Sequence, residues 1–476
     1  MNDFIGRKES QRTLRSVIED DRPSLNLVLG RLHAGKSTLL THLLGETPLF
    51  VMTARPGVST KAHLADFAEH LSRAFGEHVY PAQNWSEAFF DLRFLLEKHP
   101  AERTVIVIDE FPRLGAAPRS GIIPALSHFW NQFGETVPGF KLILTGSDTD
   151  WMINNVLGDP GGLYGRVYRT IGLLPFSLFE SETLLRSRGI VWSRLQILRL
   201  HMLTGGLPSL IDRAADCSDF DDAVRSLLSR DGLLRAEAEA QLLTSIRTKG
   251  DMTRALKAFA DTPAGFTVES LGRRLGINQT KHVARLLEML CHQRFVAKHS
   301  NLFDSDAQCR YLLSDPLMLF RFAPGFDRNR FSCAASFDEL AEQNPQWADQ
   351  ALAAECLRHI RSLPPVLGTD DRIVELHVWT DEDISGKRPS HPILVLITND
   401  LAVDLVCCFA DVRPFAPGGS ESTYFLRLRQ AFLRYWHMQD GIRIVLLTQQ
   451  APPADSRPQG VDVFLTADAL FNDITF

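Results

Sequence analysis

Apolar residues in the first third of the chain gather into four short runs: Leu25 to Leu29, Phe50 to Thr53, Val105 to Ile108 and Leu142 to Thr145. These are strand lengths, and Val105-Ile106-Val107-Ile108 is aliphatic without a break, as a strand buried on both faces must be. Between the runs, residues 62–75 and 85–97 carry apolar side chains at three- and four-residue spacing, the period of a helix that buries one face. Strand and helix in alternation predict an α/β core, a parallel sheet covered by helices on both faces.

The pattern then changes twice. From 177 to 247 the strand-like runs stop and helical periods follow one another, interrupted by Gly205-Gly206-Leu207-Pro208; this reads as a helical lid. In 262–313 a short helix (Val268 to Leu275), a turn (Gly276-Ile277-Asn278), a longer helix (Thr280 to Gln293) and a hairpin (Phe295 to Leu313) follow in the order of a winged helix-turn-helix. Beyond Pro324 to Arg330 lies a last, small α/β unit. Its helix Asp349 to Ser362 precedes strand-like 372–379, 393–398 and 403–410, the helix 422–438 and the strand 442–447.

A chain of 476 residues accommodates about three domains at roughly 150 residues each, so several cores are expected. With 45% hydrophobic and 23% charged residues, neither disorder nor a fibrous architecture fits. No run reaches the roughly 18 apolar residues that cross a bilayer, and the first residues lack an apolar signal core, so a cytoplasmic protein without membrane contact is expected. Lys plus Arg is 51 against 57 for Asp plus Glu, a formal charge of -6, which excludes a chain-wide nucleic-acid coat and leaves only a local basic face. The seven cysteines form no C-x-x-C pair, which points to reduced thiols rather than a disulfide framework or a zinc site.

The chemistry concentrates at two strand ends. Gly30-Arg31-Leu32-His33-Ala34-Gly35-Lys36-Ser37 matches the phosphate-binding pattern G-x-x-x-x-G-K-[ST], with a strand directly before it and a helix from Thr38 directly after. Its glycines let backbone N–H groups turn toward phosphate oxygens, Lys36 reaches the β- and γ-phosphates, and Ser37 ligates Mg²⁺. The strand Val105 to Ile108 ends in Asp109-Glu110; Asp109 would complete the Mg²⁺ shell, and Glu110 would orient or deprotonate an attacking water. Together these predict binding and hydrolysis of ATP or GTP. Ser147, after the fourth strand, reads equally as a γ-phosphate partner or as the cap of the next turn. Arg166 reads as a finger or sensor arginine, or as an ordinary surface residue.

These pieces resemble the archaeal-type ATPase family of STAND-like P-loop proteins, whose members commonly join such an ATPase to a winged helix and a nuclease-like C-terminal domain. The resemblance runs through Phe4-Ile5-Gly6-Arg7-Lys8-Glu9, the P-loop, Asp109-Glu110-Phe111-Pro112, Leu144-Thr145-Gly146-Ser147, Leu163-Tyr164-Gly165-Arg166, Gly205-Gly206-Leu207-Pro208 and Tyr311 to Pro316. It implies that Ile5, Gly6 and Arg7 help close the pocket near the base, that ATP is the nucleotide, and that the Gly-Gly-Leu-Pro turn lets the lid register nucleotide state. It also implies a PD-(D/E)xK-type fold over 345–476, from which this sequence departs. Glu355 is present, but His391-Pro392 stands where a metal-binding acid is expected, and Glu-x-Lys survives only as Asp411-Val412-Arg413. That domain reads as nuclease-like in fold and inactive, unless Asp404 or Asp400 supplies the missing carboxylate.

The expected organisation is an ATPase core (1–176), a lid (177–247), a winged helix (248–325) and a C-terminal domain (331–476). The expected function is an ATP-driven switch, with self-association or a protein partner; the alternative is an ATP-regulated effector on double-stranded DNA. In that alternative 278–298 meets the duplex through Asn278, Gln279, Lys281, His282, Arg285, Arg294 and Lys298.

Overall fold

In a computed structural model the described residues are 4–45, 49–117, 119–158, 163–229, 232–244, 249–300, 309–323, 336–368, 373–380, 392–398, 403–410, 422–436, 441–451 and 457–471. They form two compact units that meet in sequence between Pro175 and Phe176.

In the first unit the order is α1 (Lys8–Glu19), β1 (Ser24–Gly30), α2 (Lys36–Leu44), β2 (Phe50–Thr53), α3 (Thr60–Phe75), α4 (Trp85–Lys98), β3 (Thr104–Asp109), α5 (Pro112–Gly115), α6 (Ile122–Gln132), β4 (Phe140–Gly146), α7 (Thr149–Met152) and β5 (Val167–Leu173). The strands make one parallel sheet in the order β2-β3-β4-β1-β5. Because successive side chains point to opposite faces, the continuous apolar strands feed two cores. Leu25, Leu27, Ile106, Ile108, Leu142 and Leu144 pack with residues of α3, α4 and α6. Val28, Val105, Val107 and Ile143 pack on the other face with Leu14 of α1 and Leu39 and Leu40 of α2.

The second unit continues with α8 (Leu178–Ser187), α9 (Arg194–Thr204), α10 (Pro208–Ala214), α11 (Phe220–Leu228), α12 (Leu233–Leu243), α13 (Lys249–Ala260), α14 (Val268–Leu275), α15 (Thr280–His292), β6 (Val296–His299), β7 (Arg310–Leu313), α16 (Pro316–Phe322), α17 (Phe337–Gln343) and α18 (Pro345–Arg358). It ends with β8 (Ile373–Thr380), β9 (Pro392–Thr398), β10 (Val403–Phe409), α19 (Ser422–Trp436), β11 (Ile442–Thr448) and β12 (Val463–Leu465). Local chemistry sets several of these limits. Ser177 with Glu180, and Ser193 with Gln196, close capping boxes at the starts of α8 and α9. Gly205 ends α9 in the left-handed conformation, and Pro208 opens α10, so the Gly-Gly-Leu-Pro segment is one helix stop followed by one helix start.

Strands β6 and β7 pair antiparallel. The last sheet runs β12-β11-β10-β9-β8, antiparallel across β8, β9 and β10 and parallel from β10 to β12. One apolar cluster runs from Phe176 to Phe471 and takes in Ala351 and Leu352 of α18 with Val406 and Cys408 of β10; Leu405 and Cys407 face Phe425, Leu428 and Phe432 of α19. No helix among the described residues is long and apolar enough to cross a membrane.

Candidate functional site

Strand β4 lies between β1 and β3, and its register pairs Gly146 with Leu29 and Leu144 with Ile108. The segments that follow Gly30, Asp109 and Gly146 therefore emerge side by side at one sheet edge. Gly30 is required there by packing, since a Cβ would stand 2.7 Å from the Leu173 carbonyl oxygen. Gly35 is required by conformation: its φ of 93° is rarely open to other residues, while a Cβ would meet open space. Helix α2 starts at the next residue without a side-chain cap. Its first N–H groups and the positive end of its dipole are thus turned to the loop, as anion binding needs.

Lys36 is buried at the centre. Its Nζ donates to the carbonyls of Gly30 (2.9 Å) and Arg31 (3.1 Å) and to Ser147 Oγ (2.7 Å), and stands 3.5 Å from Glu110 Oε1. Burial pushes its pKa down, against the opposing pull of the Glu110 and Asp109 carboxylates. Ser147 in turn donates its hydroxyl to Glu110 Oε1, and its N–H reaches Oε2 at 3.4 Å. Glu110 holds a left-handed backbone, φ 56°, costly for a non-glycine residue, and its N–H is anchored on Thr145 Oγ1 at 3.1 Å.

Asp109 Oδ2 accepts from Ser37 Oγ at 3.0 Å and from Thr53 Oγ1 at 3.4 Å, and Oδ1 accepts from Thr145. A hydroxyl and a carboxylate side by side are hard oxygen donors of the kind Mg²⁺ takes, so Ser37 and Asp109 fit that ion. Arg7, also left-handed at φ 56°, donates to the Ala34 carbonyl of the loop at 2.8 Å and to the Leu174 carbonyl. Gln11 Nε2 holds the Gly6 carbonyl at 2.7 Å, and Phe4 stacks on His42 of α2, so residues 4–7 lie along the loop and its helix. Ser37 and Thr38 are exposed on the first turn of α2.

For Arg166 the sequence left two readings, a finger or sensor arginine and an ordinary surface residue. Register pairs Val167 with Leu25, so Arg166 lies at the start of β1 and not at its phosphate-loop end, roughly 20 Å away along six residues of strand. Its guanidinium stands 3.6 Å from Glu135, and it is no part of this chain's own pocket. Three contributors were not singled out by sequence. Thr145 and Thr53 brace Asp109; Thr145 directly precedes Gly146-Ser147, and Thr53 ends the second apolar run. Arg113 follows Glu110 by three residues, a one-turn spacing that brings its Nη2 to 3.8 Å from Glu110 Oε2, while Nη1 donates to the Ala54 carbonyl at 2.9 Å.

In the second unit, the side chains named for DNA on 278–298 are solvent-exposed, but His282 Nε2 already meets Asp251 at 3.0 Å. Just after β6, Ser300 bridges to His377 of β8 and receives the Val378 N–H at 3.4 Å. Glu355 is fully buried: Oε1 accepts from Arg358 at 2.7 Å, and Oε2 lies 3.5 Å from His201 Nδ1 and 3.4 Å from His359 Nδ1 without a hydrogen bond to either. Burial alone would raise its pKa, yet Arg358, His201 and His359 outweigh that and hold it at about 2. Asp404 is fully buried and gripped at both oxygens by Arg443, at 2.7 and 2.8 Å. His391, Asp400, Asp411, Val412 and Arg413 lie outside the described residues.

Residues 19–150 match the model of a family described as AAA domain, a span that takes in Lys36, Ser37, Asp109, Glu110 and Ser147. The first unit thus carries an AAA-type P-loop ATPase domain. None of the curated proteins matches the chain. Among solved structures, a Walker-type ATPase of Pyrococcus abyssi is 19% identical with a TM-score of 0.48, covering 67% of this chain and 95% of its own. The ORC2 protein of Aeropyrum pernix, in ADPNP–ADP complexes, is 16% identical with a TM-score of 0.41, covering 68% and 93%. A signal-transduction ATPase with numerous domains and a tetratricopeptide repeat sensor, from Pyrococcus horikoshii, is 15% identical with a TM-score of 0.34, covering 77% and 46%.

Proposed function

We propose that this chain is an ATP-hydrolysing molecular switch whose nucleotide state resets the second unit. The observation that carries the reading is the meeting of Lys36, Ser37, Asp109, Glu110 and Ser147 at one sheet edge, joined by hydrogen bonds and an ion pair. The AAA match favours ATP over GTP.

On binding, Lys36 exchanges the Gly30 and Arg31 carbonyls for the β- and γ-phosphates, and the N–H groups of 31–38 surround the phosphate oxygens. Ser37 and Asp109 would hold Mg²⁺, which when bound would supply charge withdrawal from those oxygens. Glu110 orients and deprotonates the attacking water. Ser147 bonds Lys36 and Glu110 at once, so its hydroxyl passes the arrival of phosphate to the base. Residues 4–7 close the base side. Steady-state ATP turnover tests the reading: Glu110→Gln should lose about 100-fold or more in kcat, and Lys36→Ala should lose ATP binding. Equal turnover in wild type and Glu110→Gln would reject the assigned role.

We infer a winged helix in 248–325, which the order α13, α14, α15, β6, β7 supports, and a nuclease-like fold in 331–476. The second is supported by a helix, three antiparallel strands, a helix and a parallel strand in succession. With Glu355 and Asp404 both committed to arginines, that domain is read as a catalytically silent output module. A second reading, ATP-controlled binding of double-stranded DNA, is favoured by the exposed Lys281, Arg285, Arg294 and Lys298. Duplex binding titrated against salt, with and without ATP, separates the two.

A further inference from the structure

Among the described residues the side chains of four meet Glu110, and they differ in what a bound phosphate would do to them. Lys36 is the cation that phosphate takes away. Ser147 is neutral. The Thr145 hydroxyl holds only the backbone N–H. Arg113 is the remaining charge: Nη2 stands 3.8 Å from Glu110 Oε2, on the side away from the Oε1 that faces Lys36 and Ser147.

Arg113 is held independently of any ligand. It lies on the single helical turn α5, its N–H bonds the Glu110 carbonyl at 3.0 Å, and its Nη1 is fixed to the Ala54 carbonyl just past β2. Ala54 in turn donates its N–H to the Asp109 carbonyl at 2.9 Å, so the guanidinium is tied back to the strand end that carries the acids. Arg113 and Lys36 are like charges on the same carboxylate, at 3.8 and 3.5 Å, and repel one another. At 3.8 Å the Arg113–Glu110 contact is an ion pair without a hydrogen bond, so it can steer the carboxylate without adding a hydrogen bond to Oε2, which the Ser147 N–H reaches at 3.4 Å.

We propose that Arg113 is a positioning residue for hydrolysis: when phosphate draws Lys36 off, Arg113 becomes the charge that keeps the Glu110 carboxylate aimed at the attacking water. The inference rests on the reading of Glu110 as the base. It also gives the pocket an arginine from its own chain, the role that Arg166 cannot fill.

The test measures kcat and KM for Mg-ATP, and ATP affinity by fluorescent-nucleotide titration, in wild type, Arg113→Ala, Arg113→Lys, Glu110→Gln and the double variant Glu110→Gln/Arg113→Ala. Arg113→Ala should lower kcat about 10- to 100-fold with KM and affinity within about twofold, and Arg113→Lys should recover most of the rate. In the Glu110→Gln background, removing Arg113 should change nothing further, because it acts through that carboxylate. An equal loss in both backgrounds, an unchanged kcat, or a rise in KM alone would overturn the proposal while leaving the ATPase reading intact. Absence of turnover in wild type would overturn both. Should Arg113→Ala fail to fold, Arg113→Met and Arg113→Lys carry the same comparison.

Discussion

Glu110 in the first unit and Glu355 in the second are both buried carboxylates among cations, yet they are built in opposite ways. Glu110 sits on a left-handed backbone at a sheet edge, and its charged partners stand at 3.5 and 3.8 Å. Glu355 sits in the last turn of α18 with no exposed surface, bonded at 2.7 Å to Arg358. Arg358 also donates to the Gly205 carbonyl at 2.9 Å and toward the Phe176 carbonyl at 3.5 Å, while the Phe176 N–H bonds Gly206 and the Leu178 N–H bonds His359. Loose partners can be exchanged for a ligand; sealed ones hold elements together. Glu355 thus acts as a brace.

The largest test of that contrast is stability. Glu355→Ala leaves Arg358 without its buried counter-charge and should cost about 3–5 kcal/mol. Glu110→Gly, which also relieves the positive φ, should cost under about 1 kcal/mol while abolishing turnover. Urea denaturation midpoints measure both, and similar losses would dissolve the distinction. Next in size, Gly206→Ala would set a Cβ 2.6 Å from the Phe176 carbonyl oxygen at φ 71°. It should lose about 2 kcal/mol. Gly35→Ala, with open space around it, should lose about 1 kcal/mol and be felt mainly as weaker ATP binding.

A separate test is a pH dependence carried by the second cluster. Burial holds His359 down at about 4, from an ordinary 6.5, and lowers His201 as well. Below pH 6.5 the unfolded chain takes up protons that the folded one refuses, so stability should fall between pH 6.5 and 4. Glu355, held at about 2, adds to the loss below pH 4.5, because its carboxylate must then be protonated. Denaturation midpoints at pH 7, 5.5 and 4.5 should follow this slope. His359→Asn should flatten it.

What was legible in the sequence was local. The loop at 30–37 and the aliphatic strand ending in Asp109-Glu110 carry their meaning in neighbouring residues, and four of the five parallel strands are apolar runs. The fifth, β5, was missed because an edge strand faces solvent, and Tyr168, Arg169 and Thr170 give it a polar surface. The two readings of Arg166 stayed open for a related reason: which end of the sheet it occupies depends on how Val167 pairs with β1, and no property of Leu163-Tyr164-Gly165-Arg166 encodes that. Glu355 was assigned by its place on a helix; Arg358 and His359 lie within one turn of it, but His201 arrives from α9, a distance along the chain that spacing does not span.

The two motif glycines have separate histories to tell. Gly30 is kept by the approach of β5, a demand of the folded sheet with or without nucleotide; Gly35 is kept by the turn that aims N–H groups at phosphate. In descendants of this chain that no longer bind nucleotide, selection on Gly35 would relax first, while Gly30 would persist as a relic of the sheet. An intact Gly35 is therefore the better marker of a working pocket.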